Sequence, residues 1–179
     1  MPRAANLHVS SEHTFSKYPR DHITLIAGFG VEGDAHAGPT VKHRSRVAID
    51  PSTPNLRQVH LIPMETLNDF VADGFNVKPG DLGENITTSG IALHELPTGT
   101  LMRIGDEALI ALTGLRNPCH QIESFRSGLL KQCLPQDENG DIRRRAGVMA
   151  IVVVGGTINT HDTIEIALPP LPHLPLQRI

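Results

Sequence analysis

Along most of the chain, apolar residues occur in short runs that either alternate with polar residues or stay continuous, and glycine or proline follows many of these runs. Such runs predict β-strands bounded by turns. We predict strands over 22–27, 57–62, 101–104, 108–113, 147–154 and 163–168. Residues 105–107 (Gly-Asp-Glu) separate two of these strands, which is typical of a hairpin. The pattern favours an antiparallel sandwich or barrel over repeated βαβ units.

Two segments change to a helical period. In the first, residues 63–72, Met64, Leu67 and Phe70 recur at helical spacing, Pro63 suits a first turn and Gly74 suits a stop. The second predicted helix begins at Pro118 after Asn117 as N-cap, and its main part covers 119–133. Its apolar stripe, which Gly128 weakens in the middle, is Ile122, Phe125, Leu129 and Cys133.

The remaining segments predict one domain over 1–179 with irregular additions. Residues 40–55 read as a local insertion, because they include the polar, proline-containing stretch 50–55. Residues 168–179 contain four prolines and predict an extended tail. A chain of 179 residues is long enough to bury a core without disulfide bonds or a structural metal.

Composition narrows the possible functions. Five Phe, one Tyr and no Trp argue against stacking of nucleic-acid bases on aromatic side chains, and a net charge of -3 argues against a broad basic surface. Two short basic clusters occur at 42–46 (Lys42, His43, Arg44 and Arg46) and at 143–145. Solvated loop charges are one interpretation, and a pocket for a single phosphate is the other.

Cys119 and Cys133 do not form a CxxC or other repeated metal-ligand pattern. A reducing, cytoplasmic location is therefore expected. The longest strongly apolar run, 148–154, is too short to cross a membrane, so we expect no membrane partner. We predict that Cys133 packs in the core, since it belongs to the apolar stripe of the second helix.

Cys119 carries the clearest candidate chemistry. Its predicted place in the first turn of a helix, close to Arg116, favours the thiolate form. A thiolate can act as a nucleophile, a sulfur carrier or a ligand for a soft metal. A buried structural cysteine is the equally weighted alternative.

Two glycine-rich segments supply further candidates. In GDAHAG (33–38), Asp34 and His36 form either a hydrogen-bonded pair at a pocket or an Asx turn that stabilises the loop. In PGDLGENITT (79–88), a glycine-bracketed turn leads into a strand from which Asn85 and Thr87 project on one face. Taken alone, this second segment is only a turn and a strand.

Together these segments resemble the MOSC domain, the module named after the C-terminal region of molybdenum-cofactor sulfurases, and specifically its stand-alone, YiiM-like or YuaD-like type. The resemblance spans about 28–167 and rests most on PGDLGENIT and GLRNPC, with weaker support from GDAHAG, RQVHLI, LPTGTLMRIG and RAGVMAIVVVGG. It implies a mainly β fold, an antiparallel β-barrel with a few short helices. It also implies that Cys119 is the family's cysteine that ligates molybdenum, and that Asn85, Thr87, Arg116 and Asn117 line the pocket of a molybdenum–pterin cofactor.

The pterin cofactor carries a phosphate and a flat, hydrogen-bonding ring, so we expect His36 to join these residues in one cavity with Cys119 in its wall. The chain has no room for the additional β-barrel of the larger amidoxime reducers and no ferredoxin-type cysteine set. A reductase built on it needs an external electron donor protein.

Three functions remain open at this point. The first is a molybdenum-cofactor enzyme that reduces N-hydroxylated small molecules. The second is a sulfur carrier that uses a persulfide on Cys119. The third is a non-catalytic binding module.

Overall fold

The computed structural model of the chain describes residues 1–42 and 47–179. Within these ranges the strands are β1 (Arg3–Val9), β2 (Tyr18–Arg20), β3 (His22–Ile26), β4 (Gly30–Val31), β5 (Val59–Pro63), β6 (Ile86–Ser89), β7 (Leu101–Ile104), β8 (Ala108–Leu115), β9 (Val148–Val154), β10 (Gly156–Asn159) and β11 (Ile164–Ala167). The helices are α1 (Met64–Ala72), α2 (His120–Phe125) and α3 (Leu129–Gln132), with a 3-10 turn at Leu93–Glu95. The predicted class, mainly β with a few short helices, is confirmed.

The strands form an eight-stranded sheet in the order β11-β7-β8-β9-β5-β6-β1-β2 and a three-stranded sheet in the order β10-β3-β4. The pairs are antiparallel except for β5 and β6, which run parallel. Parallel neighbours need a crossover connection, and the chain between these two strands contains α1.

The eight-stranded sheet curls until β1 meets the chain just before β11. An antiparallel bridge joins Arg3 to Thr163, and the amide of Ala4 donates to the carbonyl of Asp162 at 2.9 Å. Among the described residues no regular strand pair closes the predicted barrel, and β1 meets the chain before β11 only through this bridge and its flanking hydrogen bonds.

Apolar side chains fill two clusters. The main core lies within the curled sheet, because β8 alternates regularly between buried and half-buried residues and turns one face inward. The second cluster packs α1, α2 and α3 against the sheet and includes Phe70, Ile122, Leu129 and Cys133. Cys133 is fully buried, as its place on the apolar stripe predicted.

The second predicted helix differs from the structure. It is divided into α2 and α3, because the backbone is extended at Arg126 and left-handed at Gly128, where φ is 85°. Neither Asn117 nor Pro118 is part of a helix, and Cys119, in extended conformation, occupies the N-cap position of α2. A local apolar period cannot distinguish one helix from two short ones on the same side of the core.

The proline-rich segment 168–179 is not a free tail at its end. Pro175 bridges Pro97, and Arg178 bridges Leu115 at the end of β8. Leu176 is buried in the main core. Among residues 1–42 and 47–179, no helix has the length and apolar character needed to cross a membrane.

Candidate functional site

A cavity of about 250 Å³ opens where the end of β8, the turn 33–38 and the turn before β6 meet. Its lining contains five of the six residues expected from the sequence: His36, Asn85, Arg116, Asn117 and Cys119. It also contains four cationic side chains: Lys17, Lys42, Arg57 and Arg116. The combination of one thiol with several cations suits a ligand that carries both a soft metal and an anionic group.

Cys119 is half-buried and has no disulfide partner. Its Sγ donates to Oε1 of Gln121 at 3.5 Å. Because α2 has only six residues and begins after Cys119, the helix dipole contributes less to this thiol than the predicted long helix would. Arg116, which lines the same cavity, places a positive charge close to this thiol.

Arg116 is held in place from several sides. Its backbone amide donates to the carbonyl of Gly147 at 2.9 Å, and its guanidinium donates to the carbonyl of Leu82. The guanidinium also lies 5.8 Å from the ring centroid of Phe15. Burial lowers the pKa of Arg116 from its usual value of 12.5, whereas the nearby cysteines and Glu84 raise it. Arg116 therefore presents a fixed cation to the cavity.

The two cysteines should differ sharply in reactivity. Burial raises the pKa of the Cys133 thiol to about 11, whereas Cys119 is half-buried and lines the cavity. We expect iodoacetamide at pH 7.5 to alkylate Cys119 and to leave Cys133 unmodified until the protein unfolds. Site-resolved mass spectrometry across pH measures this, with protein in guanidinium chloride as the control. Equal alkylation of both residues in the folded protein would contradict the expectation.

Asp34 and Lys17 form a buried ion pair behind the cavity, with Nζ 2.7 Å from Oδ2. The Lys17 and Asp34 side chains are 4% and 1% exposed. Burial of Asp34 acts to raise its pKa, but the hydrogen bond with His36 and the ammonium of Lys17 outweigh it and hold the pKa well below 3.8. Asp34 is therefore a carboxylate at neutral pH, and it anchors a cation that the sequence analysis did not identify.

Asp34 also shapes the turn that carries His36. The backbone amide of His36 donates to Oδ1 of Asp34 at 2.9 Å, which is an Asx turn, and Nδ1 of His36 lies 3.4 Å from the same oxygen. Asp34 and His36 of GDAHAG thus form both the side-chain pair at the pocket and the Asx turn that stabilises the loop. His36 remains partly exposed at the cavity, with 32% of its side chain accessible.

Asn85 joins three parts of the fold. Its Nδ2 donates to Oδ2 of Asp34 at 2.9 Å and to the carbonyl of His8 at 3.2 Å. Its Oδ1 accepts the backbone amide of His60 at 3.2 Å. Both amide protons are thereby used, which leaves one lone pair of Oδ1 for a ligand. Asn85 lines the cavity and acts mainly by fixing its walls.

Thr87 does not line the cavity. It is fully buried, and its hydroxyl donates to Oε1 of Glu84 at 3.1 Å. The same oxygen accepts the amide of Gly80 at 2.6 Å, and burial raises the pKa of Glu84. Asn85 and Thr87 were expected on one face of a strand, but Asn85 precedes the first residue of β6 and the strand alternation does not extend to it.

Sequence reasoning missed several lining residues. One of them is His60, whose Nε2 lies 2.9 Å from the carbonyl oxygen of Ala146. Burial lowers the pKa of His60 well below 6.5. Ile179 reaches the cavity because the end of the chain pairs with β8. Arg57 and His60 both lie in RQVHLI, a segment on which the family resemblance rests, so the sequence indicated them. Lys17 lies in a polar stretch that belongs to no such segment.

The basic clusters have different surroundings. Lys42 lines the cavity, whereas His43, Arg44 and Arg46 lie outside the described residues. Arg143 pairs with Asp137 at 3.4 Å, and Arg145 pairs with Asp69. Within 1–42 and 47–179, no three or more His, Cys, Asp or Glu residues are grouped to hold a metal ion by themselves. A metal at Cys119 would need a cofactor to supply its other ligands.

The curled, mainly β sheet and the single-thiol cavity define a small β domain with a cation-rich pocket. The model of the MOSC domain matches residues 32–165, and the chain belongs to this family. MOSC domains are associated with binding of the molybdenum cofactor.

Solved structures similar to this chain include the YuaD protein from Bacillus subtilis, with 26% identity, a TM-score of 0.78 and coverage of 95% of this chain and 98% of that one. YiiM from Escherichia coli has 20% identity and a TM-score of 0.63, with coverage of 97% and 73%. YiiM from Geobacillus stearothermophilus has 15% identity and a TM-score of 0.64, with coverage of 98% and 80%. No curated protein matches. The expected resemblance to stand-alone MOSC proteins is confirmed.

Proposed function

We propose that this protein binds a molybdenum–pterin cofactor in the Cys119 cavity and reduces N-hydroxylated small molecules with electrons from an external donor protein. The observation that carries the proposal is the convergence of a half-buried thiol, four cations and polar groups on one cavity. Membership of the MOSC family supports the same choice.

The donor set suits the two ends of such a cofactor. Cys119 offers one soft sulfur ligand for molybdenum, while Lys17, Lys42, Arg57 and Arg116 offer positive charge for a phosphate. Asn117 and His36 lie at the cavity with polar groups for the pterin ring. Asn85 belongs to the proposed binding set through its remaining lone pair, and Thr87 supports it indirectly by holding Glu84.

The reaction requires that an N–OH group take up two electrons and two protons, break its N–O bond and release water. When bound, the cofactor would supply the redox centre that passes the electrons. The chain's own residues have other tasks. Cys119 would hold the metal end, Arg116 would neutralise negative charge, and His36 places a ring nitrogen at the cavity.

We expect Cys119→Ser to lower the molybdenum content at least tenfold without changing the fold, because serine preserves the size but is a poor soft-metal ligand. Protein from a host that synthesises the pterin cofactor is analysed by element-resolved mass spectrometry, with circular dichroism to check the fold. Cys133→Ala is the matched control, since it removes the other thiol away from the cavity. It should retain molybdenum.

Two results would contradict the proposal. One is unchanged molybdenum in Cys119→Ser. The other is wild-type protein that lacks molybdenum yet gains the mass of one sulfur atom at Cys119 after incubation with a sulfur donor, which would support the sulfur-carrier function instead. Absence of both molybdenum and sulfur uptake would favour a non-catalytic binding module.

A further inference from the structure

Residues 175–179, here called the strap, run beside the end of β8, the strand that leads to Cys119. The amide of Leu115 donates to the carbonyl of Gln177 at 2.7 Å, and the amide of Ile179 donates to the carbonyl of Leu115 at 3.2 Å. These two bonds use both backbone polar groups of the last residue of β8. The strap is therefore joined to the strand immediately before the cavity, and it carries Ile179 into the cavity lining.

The strap is also anchored in the core. Leu176 is 6% exposed and belongs to the main apolar cluster. Pro175 bridges Pro97, and the carbonyl of Pro175 accepts the hydroxyl of Thr98 at 3.3 Å. Because these contacts hold the strap from its other end, Ile179 has a defined place before any ligand binds, which avoids an ordering cost.

Gly114 shows how closely the strap approaches β8. A Cβ added to Gly114 would lie 2.5 Å from Cγ2 of Ile179 and 2.6 Å from the carbonyl oxygen of Gln177. Gly114 lies within β8 and does not have a positive φ, so its backbone alone would accept a residue with a side chain. The glycine is therefore needed because Ile179 packs directly on the strand.

The wall that Ile179 contributes is apolar and lies at the border of the cavity. Val41, Leu82 and Met149 also line the cavity and are buried, whereas Ile179 is half-buried. The cavity volume of about 250 Å³ is below the roughly 300–1,000 Å³ of common ligand pockets. In so small a space, one side chain of the wall decides which groups fit.

We propose that Ile179 is a specificity-determining residue, whose side chain narrows the Cys119 cavity and keeps bulky groups away from the thiol. Small groups reach Cys119 past this wall, whereas a wide group must displace the strap, which Leu115 and Leu176 hold in place. Applied to a substrate, the inference rests on the proposed function and predicts a preference for compounds that are narrow next to the N–OH group. The wall itself depends only on the strap and its contact with Gly114.

Modification of the thiol measures the width of the cavity, because Cys119 itself reports which reagents reach it. N-Ethylmaleimide and N-cyclohexylmaleimide share one reacting group and differ in bulk. The rate constants of both at Cys119 are measured on the full chain by site-resolved mass spectrometry, with protein from a host that lacks the pterin cofactor. The ratio of the cyclohexyl to the ethyl rate constant reports access alone, since a change in the thiolate fraction affects both reagents equally.

Ile179→Ala should raise this ratio about tenfold, because loss of most of the side chain opens the wall. Ile179→Val removes less of the side chain and should give an intermediate ratio. Arg178→Ala is the matched control, since Arg178 belongs to the strap, is exposed and does not line the cavity. It should keep the wild-type ratio. An unchanged ratio in Ile179→Ala, or an equal rise in Arg178→Ala, would overturn the proposal.

Gly114→Ala tests the strap without changing Ile179. The added Cβ should push the Ile179 side chain aside, so the ratio should rise in this variant as well. Circular dichroism checks that the fold is kept. A folded Gly114→Ala variant with the wild-type ratio would show that the packing of the strap on β8 does not set the width of the cavity, and it would overturn the role of the strap.

The outcomes for the wall and for the cofactor are independent, because the thiol assay uses protein without molybdenum. A raised ratio in Ile179→Ala, together with wild-type protein that never acquires molybdenum, would retain the wall and reject the cofactor. Molybdenum at Cys119 together with an unchanged ratio would retain the cofactor and reject the wall.

Discussion

Gly147→Ala is expected to lower the free energy of unfolding by about 3–5 kcal/mol. Gly147 has φ of 109°, a conformation that residues with a side chain rarely adopt. An added Cβ would lie 2.5 Å from the carbonyl oxygen of Leu61 and 2.7 Å from Cγ1 of Ile62, and it would also collide with the His60 ring. The backbone atoms cannot move aside without disturbing the pairing of β5 with β9.

The same substitution should disturb the cavity, because the carbonyl of Gly147 accepts the backbone amide of Arg116. Chemical denaturation measures the stability, and the control is Gly140→Ala. Gly140 also has a positive φ of 84°, but no atom lies within 4 Å of its added Cβ. That change should cost only about 1 kcal/mol. Similar losses in the two variants would show that the crowding at Gly147 is not the cause.

Local patterns in the sequence predict the β7–β8 hairpin well. The strand predicted over 101–104 has the bounds of β7, and the turn 105–107 joins it to β8, which extends two residues beyond the prediction. Here the alternation of apolar residues and the turn residues agree with the tertiary environment. The first helix is likewise close to its prediction, because Pro63 and Gly74 delimit α1 from both sides.

Features set by long-range contacts could not be read in this way. The buried part of the segment 168–179 depends on pairing with β8, which a proline count does not reveal. Gly128 was recognisable as a weak point of the second helix, but its left-handed conformation, which separates α2 from α3, could not be read from the apolar period. Lys17 becomes a cavity residue only because Asp34, which is distant in sequence, supplies its counter-charge. The resemblance to the family identified the thiol and its neighbours, whereas the ion pair behind them required the structure.

Asp34→Asn is expected to destabilise the protein by about 3–5 kcal/mol at pH 7, because it leaves the Lys17 ammonium buried without a counter-charge. The affected pair lies behind the cavity, and Lys17 contributes to its lining. Denaturant titrations of both proteins between pH 3 and pH 8 measure the effect.

The pH dependence has a defined sign. The pKa of Asp34 is lower in the folded protein than its usual 3.8, so its contribution is complete above about pH 4 and is lost as the pH falls through the folded value. The stability gap between wild type and Asp34→Asn should thus narrow below pH 4, while a change of the gap at higher pH would report loss of the proton from Lys17, whose pKa burial lowers. A gap that did not narrow between pH 4 and pH 3 would show that the Asp34 carboxylate is not its source.

The double variant Lys17→Met/Asp34→Asn isolates the pair from its surroundings. Removing both charges eliminates the unpaired buried ion, and methionine keeps most of the apolar volume of the lysine side chain. We expect the double variant to recover at least half of the stability that Asp34→Asn loses, with a coupling energy of about 1–3 kcal/mol in the mutant cycle. Additive losses would mean that Asp34 stabilises the fold through His36 and Asn85, which also hydrogen-bond its carboxylate, and not through Lys17.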